Sequence, residues 1–139
     1  LKPKDPVNDW LLRGSSIPGK INLYFHSDLF EPELPPPYFS GEEIDMVTAF
    51  VISHEAGHIL DDTPAKYEVA SIPQKKIFEQ TKYKRVLILD VERQAWSIGE
   101  MLLRLCAVRN PKFDQSLNWG LFNEVRDYCL STYRKGLRL

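Results

Sequence analysis

Apolar residues recur at helical spacing through three long stretches of the chain and alternate with polar ones in one short stretch. From Gly41 to Leu60 the sequence reads GEEIDMVTAFVISHEAGHIL. Ile44, Val47, Val51, His54 and His58 return there at roughly one face of a helix. Ser40 or Gly41 suits the N-cap, and Glu42 and Glu43 fall in the first turn, where the helix dipole favours acids. Pro64 stops the pattern, so a helix of about four to five turns is predicted. Residues 83–108 carry the strongest amphipathic pattern. Ile88, Leu89, Ala95, Trp96, Gly99, Leu102, Leu103 and Cys106 share a broad face, with Asp90, Arg93, Gln94, Ser97, Glu100 and Arg104 largely opposite. Asn110 and Pro111 end that helix. A third helix is predicted over 114–135, with Asp114 or Ser116 near its cap and Leu117, Leu121, Val125, Tyr128, Cys129 and Leu130 as apolar positions. Period two appears in Lys20–His26, where Ile21, Leu23 and Phe25 alternate with Asn22, Tyr24 and His26. That is the one convincing strand.

The connecting stretches are read from their punctuation. Residues 1–18, with Pro3, Pro6, Gly14 and Pro18, form an extended N-terminal segment that is mostly loop, anchored by Trp10, Leu11 and Leu12 through a short helix near Pro6. Residues 27–40 hold Pro32, Pro35, Pro36 and Pro37, which exclude a helix and a central strand. This extended loop is either one wall of a cleft or a rigid connector. Asp61–Pro64 makes a turn, 65–72 follows neither period, and a short helix fits 73–81. Lys75 and Lys76, followed by Lys82, Lys84 and Arg85, read as a solvated basic face.

Composition narrows the picture without changing it. The 139 residues suit one domain spanning 1–139, long enough to bury a core without disulfides. A formal net charge of -1 gives no case for a nucleic-acid or membrane partner, and no stretch is long and apolar enough for a membrane span. The two cysteines, Cys106 and Cys129, make neither a disulfide framework nor a Cys-rich zinc site. Cys106 reads as a buried free thiol. The absence of a signal-peptide pattern and of a disulfide framework favours a cytoplasmic location. The chain begins at Leu1 and not at Met, so an upstream segment is expected.

The chemistry lies in His54-Glu55-Ala56-Gly57-His58. Two of the three histidines stand four apart, one above the other on a helix face, and neutral imidazoles are good Zn²⁺ ligands. Glu55 follows the first ligand and can reach a metal-bound water as general base. Gly57 lowers helix stability by roughly 1 kcal/mol against alanine, and close approach of another backbone would explain it. Glu92 projects from the middle of the apolar face of 83–108, where an unpartnered carboxylate is expensive to bury. A metal ion is one partner and Arg85, two helical turns earlier, is the other. Asp61 or Asp62 serves either to orient a ligand imidazole or simply in turn chemistry.

Two histidines on a motif helix and a glutamate on a later helix resemble the gluzincin class of zinc metallopeptidases. The run from Glu92 through Ala95, Trp96, Gly99, Leu102 and Leu103 is similar to the glutamate helix of the ImmA/IrrE-type peptidases. Gly57, Ile59 and Leu60 fit the same group, and the small size also resembles the minimal single-domain gluzincins. The usual Met-Pro after the glutamate helix is absent, and no further histidine follows His58 as a metzincin-type ligand. The resemblance implies an α+β fold: a mainly helical zincin-like domain with a short N-terminal strand or small sheet, a motif helix and a glutamate helix. It implies a zinc endopeptidase with His54, His58 and Glu92 on the metal and Glu55 as base. A protein or peptide substrate would be held as an added strand beside 21–26. A tyrosine or histidine would stabilise the oxyanion: Tyr128 first, with Tyr24, His26 and Tyr133 its competitors. Two rival readings stand beside this one. The scaffold is a catalytically silent or latent protein-binding domain, or the zinc is structural and closed by a fourth ligand from His26, Asp61 or Asp62.

Overall fold

The computed structural model describes residues 10–17, 20–27 and 41–139, with side chains from Glu43 onward except Gln74. The expected helix near Pro6, the cap at Ser40 and the proline-rich segment lie outside the described residues or side chains. The protein is mainly helical. Two backbone strands, β1 (Trp10–Ile17) and β2 (Lys20–Ser27), pair antiparallel from Trp10↔Ser27 to Ile17↔Lys20. Residues 10–17, expected as loop, are therefore extended and ladder-bonded. Next come α1 (Gly41–Leu60), α2 (Pro64–Ala70), a 3-10 turn (Gln74–Glu79), α3 (Lys82–Arg109), α4 (Pro111–Ser116) and α5 (Trp119–Gly136). No helix among the described residues is long and apolar enough to cross a membrane.

Helix α1 crosses α3, and α5 closes over both. The core is built from Val47, Phe50 and Val51 of α1, Trp96 and Leu103 of α3, and Leu121, Phe122 and Val125 of α5. Phe122 is its hub. The ring is fully buried and meets Phe50 edge-on at 5.2 Å, Trp96 at 5.7 Å and Trp119 at 5.5 Å. Such aromatic pairs contribute about 0.5–1.5 kcal/mol each beyond their burial, so this one side chain ties the three helices together.

The predicted helix over 114–135 is two helices. Asn118 breaks it: its side chain accepts from Leu121 N–H at 3.0 Å and caps α5, in place of Asp114 or Ser116. Asn110 caps α4 in the same way through Phe113 N–H at 3.2 Å. The expected helix over 73–81 is the 3-10 turn, and the unassigned 65–72 contains α2. Cys106 is exposed and not buried. Beyond Gly99 the covered edge of α3 runs through Leu103 and Ala107, which turns the thiol, about 100° away from Ala107, toward solvent.

Candidate metal centre

Local sequence sets the site by bringing two backbones close. A Cβ on Gly57 would land on the Ala95 carbonyl, and one on Gly99 would stand 2.8 Å from the Ser53 oxygen and 3.1 Å from the His54 nitrogen. Each helix thus offers a glycine to the other's main chain. Ala95 is completely buried in the crossing. At this separation Glu92, one turn before Ala95, reaches across to α1.

The three expected ligands meet there. Glu92 Oε2 lies 3.0 Å from His54 Nε2, and its Oε1 lies 3.1 Å from His58 Nε2. One ligand atom from each of His54, His58 and Glu92 falls within 4.8 Å of the others, a group able to hold a metal ion. Two imidazoles and a carboxylate are the donor set of a borderline divalent cation. Glu92 is 7 % exposed, and its second oxygen is used as well as its first, so the carboxylate is matched to this pair of rings. Trp96 stacks on the His54 ring at 4.3 Å and 15°, fixing the ring plane and excluding water from one side.

Glu55 is buried at 4 % exposure, with Oε1 3.3 Å from His54 Nδ1. The His54 ring therefore has a carboxylate at each nitrogen. Burial alone would push its pKa down, but hydrogen bonds to Glu55 and Glu92 and their charges raise it to about 9. For Glu92 burial favours the neutral acid, yet the hydrogen bonds and charge of His54 and His58 hold it down at about 2. Without metal, the two flanking carboxylates favour the imidazolium form of His54.

Arg85 is not the partner of Glu92. Its guanidinium donates to the Leu137 carbonyl at 2.8 Å, at the far end of α5. Asp61 performs turn chemistry: Oδ1 accepts from Thr63 N–H at 3.0 Å and from its hydroxyl at 2.7 Å. Its other oxygen is buried without a hydrogen-bond partner among the described residues, and Asp62 is exposed. Lys66, which sequence reasoning left out, donates to the His58 carbonyl at 2.6 Å and so caps the motif helix.

The tyrosine at the site is Tyr133. Although 42 % of the residue is exposed, its hydroxyl lies within the electrostatic reach of Glu92. Burial, followed by the negative charges of Glu92 and Glu55, pushes its pKa up, so it stays protonated and can donate. Tyr128 is half-buried on the same helix. Five residues along a helix is a turn of roughly 140°, so the two tyrosines leave α5 from different faces. The signal for Tyr133 was present in the chain: Phe122, Val125 and Cys129 continue to it at spacings of three, four and four. Tyr24 and His26 lie outside the described side chains.

The chain matches no protein-family model, no curated protein and no solved structure.

Proposed function

We propose that this protein is a zinc-dependent endopeptidase of gluzincin type on a zincin-like domain. The observation that carries the reading is the convergence of His54, His58 and Glu92 within 4.8 Å, with the buried Glu55 carboxylate beside His54. Among the described residues this group offers three ligands, which leaves a coordination position for substrate or water. A structural zinc closed by Asp61 is disfavoured, because that carboxylate is not among the ligand atoms that converge with His54, His58 and Glu92.

Bound zinc would act as a Lewis acid toward a peptide carbonyl and lower the pKa of water. His54, His58 and Glu92 would hold it. Glu55 takes the proton of the attacking water and returns it to the leaving amine. The single O–H of Tyr133 turns toward the developing oxyanion when substrate is bound, with Tyr128 the other candidate on α5. Trp96 keeps one side of the site dry and the His54 ring aligned. The backbone edge at 21–26 is the candidate rail for an extended substrate.

Glu55→Gln tests this. The amide keeps the shape of the side chain but cannot accept a proton. Zinc content should stay near one per chain while cleavage of an unfolded protein substrate disappears. Equal cleavage by wild type and E55Q would refute the mechanism. Zinc bound by both with cleavage by neither would favour the silent binding domain.

A further inference from the structure

Two basic runs far apart in sequence meet at one end of the helical layer. Arg85 donates to the carbonyls of Leu137 at 2.8 Å and Arg138 at 3.4 Å. The Arg138 guanidinium in turn lies 4.5 Å above the Phe78 ring. Residues 74–85 and 134–139 together hold eight of the 18 Lys and Arg side chains and one of the 19 Asp and Glu. These two stretches carry a formal +7 and the remaining chain -8, and Glu68 of α2 offsets one of the positive charges through its ion pair with Lys84. Lys75, Lys76, Lys82 and Arg134 are exposed, and their charged ends make no hydrogen bond or ion pair among the described residues. The end also adjoins the metal centre. Arg134 follows Tyr133 near the end of α5, and Arg85 stands two turns before Glu92 on α3.

We infer that this basic end is a docking platform for an acidic stretch of the polypeptide substrate, bound apart from the scissile bond. The inference rests on the peptidase reading for the identity of the site it serves. Charge complementarity selects the ligand's sign, and the geometry selects its class. The Arg138 guanidinium lies over the Phe78 ring and takes that face from a stacked base, leaving the 53 % exposed residue only partly open. The acidic remainder of the chain repels a polyanion longer than the platform. A peptide with a short acidic block followed by an uncharged stretch meets neither obstacle.

The test uses full-length, zinc-loaded E55Q and fluorescence anisotropy with labelled probes of equal length. These are a glutamate-block peptide, a Gly/Ser peptide and oligo-dT, with phosphatidylserine vesicles examined by flotation. The glutamate-block peptide should bind best and weaken as salt shortens the screening length. Exposed ion pairs contribute roughly two- to five-fold each, so K75E/K76E/K82E should weaken binding about ten-fold or more. K112E, on exposed α4, should leave it unchanged. The inference is overturned by equal binding of the neutral peptide, by tighter binding of oligo-dT or vesicles, by indifference to the triple reversal, or by salt-sensitive self-association in place of peptide binding. Hydrolysis of the Gly/Ser peptide by wild type, measured separately, reports on the peptidase reading alone. Loss of one result leaves the other interpretable.

Discussion

A methyl group added to Gly57 would fall on the carbonyl oxygen of Ala95. This contact is main chain against side-chain position, so no rotamer change relieves it. Alanine in place of Gly57 gains about 1 kcal/mol of helix propensity and loses more through overpacking, which typically costs 1–3 kcal/mol and here must also move the backbone. G57A should therefore unfold at lower denaturant and bind metal more weakly, because separating α1 from α3 draws Glu92 away from both histidines. Gly136 is the control, since a Cβ there meets nothing within 4 Å. G136A should be neutral or slightly stabilising and keep full metal affinity. Urea titration and zinc calorimetry on both variants check this.

Glu92 separates a metal centre from a buried ion cluster. As a ligand, Glu92→Ala should weaken zinc affinity by at least ten-fold, and Glu92→Gln should weaken it too, because a neutral amide is a poorer donor. Arg85→Ala should cost stability through the lost Leu137 contact and leave zinc affinity unchanged. The stacked Trp96 supplies the readout, as its fluorescence should change when a metal charges the His54 environment. Zinc affinity in E92A equal to wild type would remove Glu92 from the ligand set.

Much of this site was legible in the chain because its logic is helical and local. His54, Glu55 and His58 lie within five residues, and Glu92 stood out as a carboxylate on an apolar stripe. Gly57, Ala95 and Gly99 announced a close crossing because small residues have no other evident use in the middle of helices. The features that were missed depend on tertiary placement. The break at Asn118 is a capping event that apolar periodicity runs straight through, and the solvent-facing thiol of Cys106 follows from where the packing neighbours end. Spacing alone offers Arg85 as the alternative partner of Glu92, whereas the end of α5 supplies its acceptor from more than fifty residues away. The strand ladder of 10–17 was hidden by Gly14, Ser15 and Ser16, which read as turn residues but pair with Leu23, Asn22 and Ile21.

Zinc binding should depend steeply on pH. His54 titrates at about 9 in the metal-free protein against an ordinary 6.5. Its contribution to the metal-free fold is fully present below pH 6.5 and is lost as pH rises through about 9. Metal must displace the proton on Nε2, so affinity should rise up to about ten-fold per pH unit as pH climbs toward 9, with a proton released per zinc. Glu92 behaves oppositely: its stabilisation is present above pH 4.5 and lost as pH falls toward 2, so it adds no slope near neutrality. Calorimetry in buffers of different ionisation enthalpy counts the protons. Zinc affinity flat between pH 7 and 9 would mean that His54 is already neutral.

Tyr133 yields a prediction that distinguishes chemistry from packing. Its hydroxyl is kept protonated by burial and by the negative charges of Glu92 and Glu55. Removing one oxyanion donor typically lowers kcat by about 10²–10³. Tyr133→Phe retains the ring and loses only that donor, so kcat should fall by this order while KM changes little. Zinc affinity should hold within a few-fold, because the phenol is not one of the three ligands. Tyr128→Phe, on another face of α5, should leave kcat within about two-fold, the scale of an uninvolved surface change. A structural role for Tyr133 predicts the reverse pattern: a lower unfolding midpoint with kcat preserved. Steady-state kinetics and urea midpoints on Y133F and Y128F decide between them, and unchanged kcat in Y133F would return the oxyanion donor to the residues near 24 and 26.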